Sequence, residues 1–314
     1  MGISSANYLP KEIKESQVAE FLKLLGYKRV TKSHFYFYDD NNLEQVTPIV
    51  ADIVRNKDKE LKVEITTTIW RSIFDHNVHN STIKQLRLRF GGHFVSAHGL
   101  NRYIVFEDII RYKSEAACYL AYFHFKNNLT TISFYLDNQK EALSKYKPLP
   151  RGSSSPFSTS VTIGLPFLVS ILEEYLRSTY IGLLTYSDKK KEIFKSSRIS
   201  NELLYDVTLK QSTMEKVIAQ SKSFQNIVQL NSNFKEIDSN INFIDLLKRT
   251  QPRRKLLEKL SNLIENRHII IHQAKTIEGY TVDHFKKDIN LIETVVSTFY
   301  TRIRTIYKWQ KPYL

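Results

Sequence analysis

The chain has 314 residues, 42% of them hydrophobic, which is enough for two packed domains and excludes wholesale disorder. Its formal charge of +14 falls on both halves; with no apolar run of about 18 residues, this directs attention to phosphate-bearing partners rather than to a bilayer. The single cysteine, Cys118, excludes an internal disulfide and a thiolate zinc cluster and fits a reducing cytoplasm.

The opening residues lack the apolar core of a secretory signal. Gly2 is followed by Ala6, where a myristoylation motif requires Ser or Thr. Glu15 to Leu25 has the spacing of a short amphipathic helix stopped by Gly26. Alternating or β-rich runs predict strands at His34–Tyr38, Leu61–Ile69, Arg102–Phe106 and Thr131–Leu136. Helices are expected around Ser81–Arg89 and Lys113–Phe125, with Cys118 as a buried structural thiol inside the second. Residues 1–144 therefore read as an α+β domain. Residues 145–165, rich in Pro, Gly, Ser and Thr, read as a linker.

From 166 to 314 the pattern is all-helical. Pro166 suits a first helical position, and Phe167, Leu168, Ile171, Leu172, Tyr175 and Leu176 recur at three- and four-residue steps. Further amphipathic runs begin near Ser200, cover Ile241–Lys248, and follow Pro252. Gly279 marks a break, and Thr281 caps a long closing helix through Phe285, Ile292 and Phe299. Four or five such helices make a bundle.

The first half also carries polar clusters. Histidines cluster at His76 and His79 and again at His93 and His98; Asp75, His76 and His79 could ligate a metal, although loop histidines explain the same pattern. Gly91-Gly92 could form a phosphate nest, but no Walker or dinucleotide pattern surrounds it. Lys84, Arg87, Arg89 and Arg102, with Tyr103 nearby, are candidates for RNA contact; a solvated helix face accounts for them equally well.

The most informative segment is Glu265-Asn-Arg-His-Ile-Ile-Ile-His-Gln273. Arg267 and His272 match the R-x4-6-H signature of HEPN ribonucleases. Their context, from Leu172-Glu-Glu-Tyr-Leu-Arg177 upstream to a long closing helix downstream, also resembles that family over about residues 160–310. The chemistry suits the residue types. RNA supplies its own 2′-OH nucleophile, an imidazole moves protons near neutrality, and a guanidinium holds the phosphate and its transition-state charge. Neither a metal ion nor a cofactor is required.

The resemblance implies an endoribonuclease leaving a 2′,3′-cyclic phosphate, with Arg267 and His272 catalytic. It also implies a homodimer whose two motif copies face each other across one composite cleft. That arrangement answers a geometric point: positions five apart differ by about 140° around a helix, so Arg267 and His272 do not share one face. His268 lies four residues before His272 and is a supporting candidate. As a bare H-x3-H pair the two could be half a metal site, but Ile269 stands where a zinc protease needs glutamate. Glu173 and Glu174 lie upstream, and Glu174 is the candidate for orienting the motif, with a solvated surface charge as the competing reading. Proteins of this resemblance serve antiphage defence, including abortive infection, or toxin–antitoxin systems, so an antitoxin or a phage-derived trigger is an expected partner beside RNA. The rival reading is a non-catalytic RNA-binding and dimerisation protein with a degenerate HEPN domain.

Overall fold

The computed structural model describes residues 2–39, 41–55, 60–68, 71–105, 110–144, 156–209, 211–248, 254–273, 277 and 279–309. Two compact units emerge, Met1–Leu120 with Trp309–Leu314, and Ala121–Lys308.

The first unit is α+β. Its elements run β1 (Ile3–Tyr8), α1 (Glu15–Leu24), β2 (Lys28–Arg29), β3 (His34–Phe37), β4 (Ile49–Arg55), β5 (Leu61–Thr67), α2 (Ile73–Phe90), β6 (His93–Ser96) and β7 (Gly99–Leu100). The strands form one antiparallel sheet in the order β2-β3-β4-β5-β1-β6-β7. Strict alternation sets its faces: Ile49, Ala51, Ile53, Leu61, Val63 and Ile65 are buried, while Lys62 and Glu64 between them are not. Val18 and Leu22 of α1 and Ile83 and Leu86 of α2 join these residues in one core.

Two buried polar groups tie α2 to the sheet side. Ser72 caps the helix, and Asp75, fully out of solvent, accepts from the backbone amides of Ser72, Val46 and Thr47 at 2.8–3.3 Å. Burial nevertheless lifts the Asp75 carboxyl to about 6. One turn on, His79 is 1% exposed and its Nε2 lies 3.0 Å from Ser5 Oγ on β1. Asp75 and His79 are thus engaged in stitching helix to loop and strand. Gly92 has φ +80°, and a Cβ there would stand 2.1 Å from the Tyr8 carbonyl oxygen. Gly92 therefore serves the close approach of β6 to β1, while Gly91 ends α2 at φ +76°.

The second unit is helical. Helix α3 (Lys113–Ser144) carries the boundary between the units, and α4 (Pro156–Thr185) follows. Then come α5 (Lys190–Ser196), α6 (Asn201–Thr208), α7 (Met214–Ser221), α8 (Ile227–Ile237), α9 (Phe243–Lys248), α10 (Arg254–Gln273) and α11 (Val282–Tyr307). Helix α4 packs against α7, α8, α10 and α11 through Leu168, Leu172, Tyr175, Leu176, Tyr180 and Leu184, all buried. Phe299 of α11 meets Phe234 and Phe243 edge-on, with centroids 4.9 and 5.1 Å apart. Rings prefer that geometry, and burying such a side chain contributes about 2–3 kcal/mol. Tyr122 stacks on Tyr300 at 4.5 Å, and Lys126 pairs with Glu293. No helix of the described residues is long and apolar enough to cross a membrane.

Four expectations change. Thr131–Leu136 is helical, inside α3: Phe125, Leu129, Ile132 and Leu136 form a buried stripe at helical spacing that outweighs the β-branched residues. Residues 102–105 form no strand. Pro166 lies within α4 rather than at its start; the helix runs through it, and Ser170 Oγ donates to the Pro166 carbonyl. The α4 helix begins at Pro156, inside the segment expected to be a linker, and the unit boundary falls earlier, at Leu120. Residues 145–155, Ile69, Phe106 and Pro252 lie outside the described residues.

Burial, reinforced by the neighbouring charges of His76 and Arg71, lowers the His79 imidazole to about 3. Since the folded value lies below the unfolded one, its contribution is complete above about pH 6.5 and is lost as pH falls towards 3. His79→Gln should flatten this loss: urea unfolding between pH 6.5 and 4 should show a shallower decline than in the wild type. Superimposable pH profiles would show that His79 is not the titrating group.

Candidate active site

Helix α10 presents the Arg-His motif on the second unit. Leu260 and Leu263 bury one stripe of the helix, and α4, α9 and α11 pack around it. Arg267 sits half-buried towards this packed side, whereas His268 and His272 are exposed. The 140° argument therefore holds in three dimensions: arginine and distal histidine leave the helix in different directions, and His268 projects between them.

Arg267 is anchored. Its Nη1 donates to Gln225 Oε1 at 3.0 Å, and Gln225 Nε2 donates in turn to Glu173 Oε2 at 3.0 Å. Glu173 lies on α4 and is only 7% exposed. A buried carboxylate needs donors, and a guanidinium needs acceptors; one amide, with a carbonyl and an NH2, serves both ends. The relay consumes one of the five N–H groups of Arg267. Its Nε is buried and without a hydrogen-bond partner among the described residues. The remaining Nη hydrogens leave a charged fork for a planar or tetrahedral anion.

The imidazoles of His268 and His272 approach with ring centroids 4.4 Å apart and planes tilted by 44°. Two exposed imidazoles in contact can divide proton work, one accepting while the other donates. Among the described residues no group of three His, Cys, Asp or Glu side chains is arranged to hold a metal ion, so the pair has no third ligand there.

Glu174 does not reach the motif. Its carboxylate accepts from Arg177 Nη1 at 3.0 Å and Ser178 Oγ at 2.9 Å on its own helix, and its side chain is 58% exposed. The neighbouring Glu173 occupies the orienting position instead. Gln225 was not legible in the sequence, because it lies 42 residues from Arg267 in a connection between short helices and belongs to no motif.

The other candidates lie in the first unit. Lys84, Arg87 and Arg89 are exposed along α2, and Arg102 is exposed after β7. Arg87 lies over the Phe94 ring at 5.9 Å, and Tyr103 packs on the same ring at 4.9 Å. His93 stacks on Tyr8 with centroids 5.0 Å apart. His76 Nε2 lies 3.3 Å from the Asn80 amide nitrogen, and burial holds its imidazole below the usual range. Cys118 is buried, which pushes its thiol upward and leaves it unreactive.

A family model described as RiboL-PSP-HEPN matches residues 133–305, more than half of the chain. No curated protein and no solved structure matches. The chain belongs to the RiboL-PSP-HEPN family, and the helical unit with α10 is its HEPN domain.

The relay makes unequal predictions for adjacent glutamates. Glu173→Ala should lower stability by about 1–3 kcal/mol, since it empties a buried position on α4 and removes the acceptor of its part-buried hydrogen bond with Gln225. Glu174→Ala should stay within about 0.5 kcal/mol. Equal effects in urea unfolding would contradict the relay.

Proposed function

We propose that this HEPN protein is a metal-independent endoribonuclease working through Arg267, His268 and His272. The observation carrying the proposal is an exposed imidazole pair beside an arginine linked through Gln225 to the buried Glu173.

The reaction balances with these groups alone. One imidazole takes the proton of the 2′-OH while its oxygen attacks the adjacent phosphorus. The bond from phosphorus to the 5′-oxygen breaks, and the other imidazole, in its protonated form, gives that oxygen a proton. The guanidinium of Arg267 holds the non-bridging oxygens and stabilises their added charge. The products are a 2′,3′-cyclic phosphate and a 5′-OH.

The divergence of Arg267 and His272 supports a homodimer. One α10 spreads these groups around the helix, whereas two copies related by a two-fold axis can bring an arginine from one towards a histidine from the other. Exposed Ile271, between the histidines, supplies apolar surface for such a contact. Family membership supports the wider role: a toxin-like effector of antiphage defence, including abortive infection, or of a toxin–antitoxin system. In that role the first unit, basic along α2, grips RNA with Lys84, Arg87, Arg89 and Arg102, or answers an antitoxin or phage-derived trigger.

The test is cleavage of total RNA by the purified chain in excess EDTA. The wild type should leave cyclic-phosphate ends, and Arg267→Ala and His272→Ala should each lower the rate by about 100-fold or more. Intact RNA, also after removal of the first 120 residues, would favour the non-catalytic RNA-binding reading. Equal cutting by wild type and variants would refute the assignment to α10.

A further inference from the structure

Between α10 and α11 lies a solvent-open cavity of about 630 Å³, within the size range of small-ligand sites. Its lining sorts by chemistry. Leu263 and Leu291 give it apolar surface, while exposed Lys259 and Lys287 bring two ammonium groups to its walls. Asp288 contributes a carboxylate whose Oδ2 accepts from Tyr280 Oη at 2.6 Å. The His284 ring lies nearly parallel to that of Tyr280, at 22° and 6.0 Å between centroids. None of these groups has a part in the chemistry of Arg267, His268 and His272.

An ionised carboxylate accepts hydrogen bonds and cannot donate. Of the four RNA bases, guanine alone offers two neighbouring donors, N1–H and the exocyclic N2–H, spaced to meet both oxygens of a carboxylate. Adenine presents an acceptor at N1, and each pyrimidine edge sets a donor beside an acceptor. Asp288 Oδ1 receives no hydrogen bond among the described residues, and Oδ2 keeps a lone pair after Tyr280 has fixed its direction. The two lysines match a phosphate, and the His284 ring offers a face on which a purine can stack.

We propose that the cavity between α10 and α11 binds a guanine nucleotide, with the base on Asp288 and the phosphate on Lys259 and Lys287. Its role rests on the nuclease reading. Asn266, immediately before Arg267, lines the cavity, so a guanosine of the RNA seated there brings its neighbouring phosphate towards the motif and selects the cut.

Calorimetric titration of the full-length His272→Ala chain keeps cleavage out of the readout. The probes are the 5′-monophosphates of guanosine, adenosine, cytidine and uridine, and a short oligoribonucleotide with one guanosine beside the same strand without it. The guanosine probe should bind roughly ten-fold tighter than its counterparts or better. The nearly isosteric Asp288→Asn should remove that preference with an unchanged circular dichroism spectrum. Should that variant unfold, Lys287→Ala, at an exposed position, should still weaken guanosine monophosphate several-fold while leaving guanosine itself unaffected. Preference seen only in the oligonucleotide assigns the site to RNA; preference in the mononucleotide as well extends it to free nucleotide. Equal binding of all probes, no binding of any, or a preference that survives Asp288→Asn overturns the proposal. Those results leave the cleavage reading untouched, and intact RNA in the cleavage assay leaves the binding result untouched.

Discussion

Burial of the Glu173 carboxylate constrains the whole helical unit. The residue lies on α4, most of whose inward positions are apolar, and a carboxylate in such surroundings must find donors. Gln225 supplies one and passes the interaction on to Arg267. Three elements remote in sequence are thereby fixed to one another: α4, the turn before α8, and α10. An apolar contact there would hold the helices together, but it would not dictate which way the guanidinium points. The relay does, and so converts packing into a defined cation at the surface.

The remaining architecture makes that relay possible. Helix α4 is the common partner of α7, α8, α10 and α11, and the aromatic cluster of Phe234, Phe243 and Phe299 fills the space among the helices. Because α10 gives one stripe to this core, its other faces are free. The paired imidazoles occupy one of them and the lining of the guanine-nucleotide cavity another. A 20-residue helix with three differently employed faces is economical, and the 100° step between residues is the reason adjacent Asn266, Arg267 and His268 serve three different surroundings.

Much of this was readable from the chain itself. The strands at His34 and Leu61, the helix from Glu15, the Thr281 cap and the R-x4-H segment all follow from local spacing and turn chemistry. The errors have physical causes. Thr130, Thr131 and Ile132 are β-branched, yet tertiary burial of one helical stripe governs that segment. Strand β1, Ile-Ser-Ser-Ala-Asn-Tyr, has few β-formers and owes its state to pairing with β5 and β6 on both edges. Choosing between adjacent Glu173 and Glu174 requires knowing which side of α4 faces inward to within one residue. Gln225 has no local signature at all, because its role exists only once distant helices have met.

In the mechanism proposed for α10, RNA brings its own nucleophile. Two oligoribonucleotides cut at a mapped site, identical except for one 2′-deoxy substitution immediately 5′ of the scissile phosphate, test this most directly. The all-ribose strand should be cleaved to a 2′,3′-cyclic phosphate, and the single deoxy substitution should leave its partner intact at that position. Equal cutting of both strands at that phosphate would contradict it, since the nucleophile would then come from elsewhere.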